Sequence, residues 1–216
     1  MRIFLALAFI IFMTACTHMQ TVTTQAPLPP PIVAPVTPSQ PVILTWNTPD
    51  HPERAQWTTD IINIITPDLA TFGQATDITQ FRPDWAQLKP NQQIQSVAEI
   101  FSSDSYYESG WDPSEADVDV GEQSDKNTWS VGLMQMSQCD QANYGLNFGF
   151  TYNDLITEKP NLILAEAILV QQIKNYGRIL IPWSEKSHVY WSSMSPGNKY
   201  DSSALIIQRV SGMSLK

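Results

Sequence analysis

The sequence predicts a mainly α-helical single domain carried behind a Pro-rich N-terminal tether. Three observations lead there. Stretches 54–66, 91–109 and 160–177 space their apolar residues at helical intervals and stop at Pro or Gly. Alternation of β-branched with polar residues occurs only in short pieces, and no internal repeat is visible. Composition also changes sharply near residue 44, and the part beyond it, about 170 residues, is the size of one domain.

Taking the elements in order, "MRIFLALAFIIFMTA" carries one Arg and then an unbroken apolar run. The run is too short to span a bilayer and suits a signal-peptide core over residues 1–15. "MTAC" resembles the lipobox of bacterial lipoproteins, which makes Cys16 the lipidated first residue of the mature protein and a membrane anchor. Thr17 follows it, where an aspartate would retain such a protein in the inner membrane. By resemblance to sorted lipoproteins, the expected location is the periplasm-facing side of the outer membrane. Residues 16–44 are read as anchor and linker. Within them "QAPLPPPIVAPVTPSQP" has seven prolines in seventeen residues and no charge. Such a segment is a semi-rigid polyproline-type tether, and residues 17–41 would reach about 75 Å.

Composition excludes several classes. Without the first fifteen residues, 11 basic residues face 21 acidic ones, a net charge of −10. That surface argues against nucleic acid and against tight contact with anionic lipid. Beyond Cys16 the chain has only Cys139, so an internal disulfide framework is excluded. His18, His51 and His188 have no metal-ligand spacing, and neither metal nor cofactor is expected.

Within the domain, "RAQWTTDIINIIT" reads as an amphipathic helix stopped before Pro67. "NQQIQSVAEIFSSDSYYES" carries Ile94, Val97, Ala98 and Phe101 on one face, with Ser109-Gly110 as its stop. "PNLILAEAILVQQIKNYG" opens with Pro and closes with Gly, the expected asymmetry. Glu108 lies fourteen residues after Ile94, which returns it to within about 40° of the core face. It also sits in the last turn, where the helix dipole disfavours a negative charge. A carboxylate so placed is a candidate catalyst.

In chain order the segments "YYESGWDP", "WSVGLMQMS", "PNLILAEAILVQQIKNYG" and "HVYWSSMSPGN" resemble the catalytic domain of the Slt-type lytic transglycosylases. These are lysozyme-like enzymes that cleave peptidoglycan. The lead-in "FRPDWAQLKPNQQIQSVAEIF" looks like that of a lipoprotein branch of the family, and the resemblance covers roughly residues 80–200 of a catalytic domain at 45–216. It implies that Glu108, followed by Ser109, is the acid/base and that Tyr190 orients it. Gly132, Leu133, Met134 and Gln135 would line the sugar groove, with Asn161 as the helix-opening Asn. Burial against Tyr107, Trp111 and the methionines would raise the Glu108 pKa. With one carboxylate, the N-acetyl group of the sugar serves as nucleophile and the product is a 1,6-anhydro ring.

The chain departs from the family pattern in three places. An acidic insertion, "SEADVDVGEQSDKN", stretches the Glu108–Gly132 spacing to 24 residues. The Asn that normally follows the tyrosine is replaced, since the chain reads "VYWS", and the last sixteen residues match nothing in the family. Asp117, Asp119 and Asp125 in the insertion are candidates for a second carboxylate that would activate water. The alternatives are therefore a lysozyme-type hydrolase, including one acting on deacetylated glycan, and a non-catalytic peptidoglycan-binding lipoprotein.

Overall fold

In the computed structural model, residues 42–118 and 125–215 are described. The signal segment, Cys16, the Pro-rich stretch and Asp119 lie outside the described residues. The domain is mainly helical. Its helices are α1 (Arg54–Ile65), α2 (Leu69–Gly73), α3 (Ile78–Phe81), α4 (Pro90–Ser109), α5 (Asp140–Asn143), α6 (Tyr152–Leu155), α7 (Glu158–Tyr176) and α8 (Ser203–Gly212). A two-stranded antiparallel ribbon, β1 (Ala116–Asp117) and β2 (Ser130–Val131), joins α4 to α5.

The three helices predicted from periodicity form, and α4 is the central one, packed against α1, α2 and α8. Every residue from Ile94 to Ser105 is buried, polar ones included. A helix buried all round needs partners for its polar side chains. Glu99 Oε2 accepts from Thr45 N at 2.9 Å, Glu99 Oε1 from Ser103 Oγ at 2.9 Å, and Ser102 Oγ from Trp46 N at 3.0 Å. These bonds fasten the segment before α1 onto α4. Leu44 and Trp46 are buried in the same core, so the packed domain reaches back through the end of the segment read as linker.

Helix α7 begins at Glu158, ahead of the expected Pro160. Proline is tolerated there because the first-turn N–H groups lack intrahelical acceptors in any case. The helix ends at Gly177 in the left-handed region, φ 71°. Within the C-terminal segment that matches nothing in the family, Ser203–Gly212 forms α8, which packs on α3 and α4. Arg82 caps it, donating to Val210 O (3.3 Å) and Met213 O (3.2 Å) while its other nitrogens grip Asp84 at 2.8–2.9 Å.

Candidate active site

Helix α4 delivers Glu108 in its last turn, two residues before a sharp stop. Gly110 (φ 64°) takes the left-handed conformation and Trp111 (φ 64°) follows it. The Trp111 indole turns back along the helix, donating to Ser102 O at 2.8 Å beneath the Arg54 guanidinium, 5.2 Å from the ring. Trp111 therefore packs on the Arg54 flank of α4 and is absent from the cleft wall that Glu108 occupies. Tyr107 does line that cleft.

The Gly132–Gln135 segment is a four-residue turn closed by paired backbone bonds between Val131 and Met136, at 3.0 and 2.9 Å. Three of its carbonyls have a donor: Gln135 Nε2 on Gly132 O (2.9 Å), Ser109 Oγ on Leu133 O (3.1 Å) and Trp191 Nε1 on Met134 O (3.0 Å). Asn161 is wholly buried beneath it. Its Oδ1 accepts from Met134 N (2.8 Å), and its Nδ2 donates to Val131 O (2.7 Å) and Leu155 O (2.8 Å). A Cβ on Gly132, at φ 75°, would sit 2.4 Å from Asn161 Nδ2 and from Leu155 O, so only glycine fits.

This geometry corrects the groove assignment. Leu133 and Met134 are core residues, 0% and 1% exposed, and Asn161 is a brace. Gln135 alone of the four turn residues lines the cleft, held there in a left-handed conformation at φ 50°. Ser109 ties the end of α4 to the turn, so Leu133 and Asn161 help fix the position of Glu108 from beneath the cleft.

The Tyr190 expectation is also corrected. Its hydroxyl bonds to the Asp140 carboxylate rather than to Glu108. The residue that holds Glu108 is Ser193, whose Oγ is bonded to Glu108 Oε1 and lies 2.6 Å from Asp104 Oδ1. Burial pushes the Glu108 pKa up, while the hydroxyl and the backbone N–H of Ser193 pull it down. Burial, then the neighbouring Glu108 charge, holds Asp104 well above the ordinary Asp value. Asp140 is raised by burial, partly offset by Tyr190 and Ser137.

Glu108 opens on a cleft of about 910 Å³ between the ribbon, the turn and the 190–202 segment. Glu115 and Asp117, two apart on an extended stretch and so on one face, both line it. Asp140 and Asp201 add two more carboxylates, and Lys199 is the cation among the described lining residues. Of the candidate second carboxylates, Asp117 thus shares the cleft with Glu108. Asp125 is exposed and accepts from Asn127 N at 3.0 Å, forming a local turn. Among the described residues, no group of three or more His, Cys, Asp or Glu side chains could hold a metal ion.

Sequence reasoning missed Asp104, Ser193 and Glu115. Asp104 was findable, since it precedes Glu108 by four residues and shares its face. Glu115 was equally findable by its two-residue offset from Asp117. Nothing local pointed to Ser193, 85 residues away.

No family model matches the chain, and no curated protein matches it. Solved structures of the Bdellovibrio protein Bd0314 DslA are similar. Its wild-type form 2 and one glutamate-to-glutamine variant each align at 25% identity with a TM-score of 0.63. A variant at a different glutamate aligns at 23% with a TM-score of 0.58. In all three, the match covers 79% of this chain and 95% of that one.

Proposed function

We propose that this chain is a peptidoglycan lytic transglycosylase of the Slt-type, lysozyme-like fold, cleaving the MurNAc–GlcNAc β-1,4 bond with Glu108 as its acid/base. The observation that carries this reading is the setting of Glu108. Its carboxyl closes a buried helix, faces an open cleft and has a pKa raised by burial. Glycosidic cleavage needs an acid that is still protonated near neutral pH to protonate the leaving oxygen. The N-acetyl oxygen of the muramyl unit attacks C1 as the Glu108 proton passes to the departing O4. The carboxylate then takes the O6 proton while O6 attacks C1 and expels the acetamido oxygen. One carboxyl serves both steps. Tyr107 and Tyr200 border the cleft and offer ring surface to sugars. Lipidation at Cys16, with the tether beyond it, would hold the enzyme at the outer membrane within reach of the wall.

The acidic cleft favours a second reading, a hydrolase of glycan bearing free amines. Among the described cleft residues carboxyl groups outnumber the one lysine, which attracts ammonium groups, and Glu115 or Asp117 could activate a water. The similar structures of Bd0314 DslA carry glutamine at two different glutamate positions, and two glutamates, Glu108 and Glu115, line the cleft here.

The test is mass spectrometry of muropeptides released from native and deacetylated sacculi by the full chain and by Glu108→Gln. Anhydro-muramyl ends that vanish in the variant establish the transglycosylase. Glu108-dependent reducing ends, richer on deacetylated wall, establish the hydrolase. Absence of product from either protein on either wall would leave a binding module and overturn both enzymatic readings.

A further inference from the structure

Three oxygens stand in a row at the end of α4: Asp104 Oδ1, Ser193 Oγ and Glu108 Oε1. The two hydrogen bonds between them need two protons, and the serine hydroxyl supplies one. The second must be a carboxylic proton on Asp104 or on Glu108.

The surroundings decide between them. Asp104 is 0% exposed, and its second oxygen, Oδ2, is buried without a hydrogen-bond partner among the described residues. An ionised Asp104 would leave a bare charged oxygen in the core with nothing to solvate it, the costliest way to bury a carboxyl. Glu108 has the better setting for a charge, since it meets the open cleft and the nearby backbone N–H of Ser193 favours its ionised form. The charged group acting on Asp104 is Glu108 itself, which disfavours a second charge there.

We propose that Asp104 is a proton-bearing positioning residue: its carboxylic O–H donates to Ser193 Oγ, and the serine hydroxyl is thereby aimed at Glu108 Oε1. The inference rests on Glu108 being the acid/base. One consequence is directional. Oε1 is occupied by Ser193 whether Glu108 is charged or neutral, so the proton that Glu108 exchanges resides on Oε2. The same oxygen gives the proton to the leaving group and takes the next one back. No net proton leaves Asp104, which works as a fixed donor throughout.

The experiment is carboxyl ¹³C NMR of the full chain, labelled separately at aspartate and at glutamate carboxyl carbons. In the aspartate-labelled protein, one resonance should keep its protonated shift past neutral pH and vanish in Asp104→Asn. In the glutamate-labelled protein, Ser193→Ala removes the Oε1 donor that favours the charged form, so the Glu108 titration should move up by about half a pH unit or more. Asp104→Asn can still donate to Ser193 and should leave that titration nearer wild type than Asp104→Ala does. If Asp104→Asn fails to fold, Glu108→Gln replaces it. The protonated aspartate resonance must then persist although the neighbouring charge is gone. An Asp104 resonance that titrates in the ordinary aspartate range overturns the proposal, as does a Glu108 titration unmoved by Ser193→Ala. The readout needs no substrate, so it stands apart from the fate of the glycan-cleavage reading.

Discussion

Asn161→Ala separates a brace from a groove residue. The side chain makes three hydrogen bonds under the 132–135 turn, one accepted from Met134 N and two donated, to Val131 O and Leu155 O. Truncation strands the Met134 N–H in a site with no water access, since Asn161 is 0% exposed. Val131 O keeps its bond from Met136 N at 2.9 Å, so its loss is the smaller one. A stranded buried group costs about 1–3 kcal/mol, and three weakened groups together should cost about 3–5 kcal/mol. For a domain of this length that corresponds to a fall in Tm of roughly 10 °C. Urea and thermal unfolding of wild type and variant, followed by circular dichroism, measure it. Below the unfolding transition the variant should still bind glycan. A stability loss under about 1 kcal/mol together with lost glycan binding would refute the brace and return Asn161 to the groove.

Two further outcomes follow from the buried acids. Tyr190→Phe removes the hydroxyl on Asp140, so the Asp140 titration should rise while that of Glu108 stays in place; a moved Glu108 would reinstate Tyr190 as its orienting group. Glu166 on α7 is pushed up to about 8 from an ordinary 4.5, by burial and then by the Asp68 charge, with Lys174 opposing. The folded state therefore binds more protons than the unfolded state between those values, and stability is lost as pH rises from 4.5 to about 8. Glu166→Gln should flatten that dependence and stabilise the chain above the window by a few kcal/mol, on the order of 3. Equal pH slopes for the two proteins in equilibrium unfolding would refute the assignment.

The fold was legible where period and punctuation agreed. Helix α4 is apolar at helical spacing between Pro90 and Gly110, and its bounds came out within one residue of those read from sequence. Glu108 could be placed because helix geometry fixes direction over four turns. The partners of Glu108 were not legible in the same way. Ser193 approaches α4 from a segment with no regular structure, so no period reports its direction. Tyr190 illustrates the converse. A motif can name a residue beside the site, yet which carboxylate its hydroxyl meets depends on where α5 puts Asp140. The turn residues failed for a third reason, since a tight turn faces half its side chains inward. Leu133 and Met134 went to the core and only Gln135 to the cleft.

Two acids on α4 show why burial alone does not identify a catalyst. Glu99 is 2% exposed and, like Glu108, has its pKa raised chiefly by burial. Its oxygens, however, are taken up by Thr45 and Ser103, and what they do is fasten the segment before α1 to the core. Every lone pair used there is explained by the fold. Glu108 has one oxygen held by Ser193 and faces a cleft with the rest of its carboxyl, at a helix end where the dipole opposes its charge. Around it gather an unpartnered buried Asp104 oxygen and the left-handed Trp111 and Gln135, the only non-glycine residues of positive φ among those described. Positive φ at a non-glycine residue and an unpartnered buried oxygen each cost stability. Local rules are broken together where a site needs a poised carboxyl, and kept elsewhere on the same helix. That contrast within one element, more than any single pKa, is the physical argument for proposing Glu108, and not Glu99, as the acid.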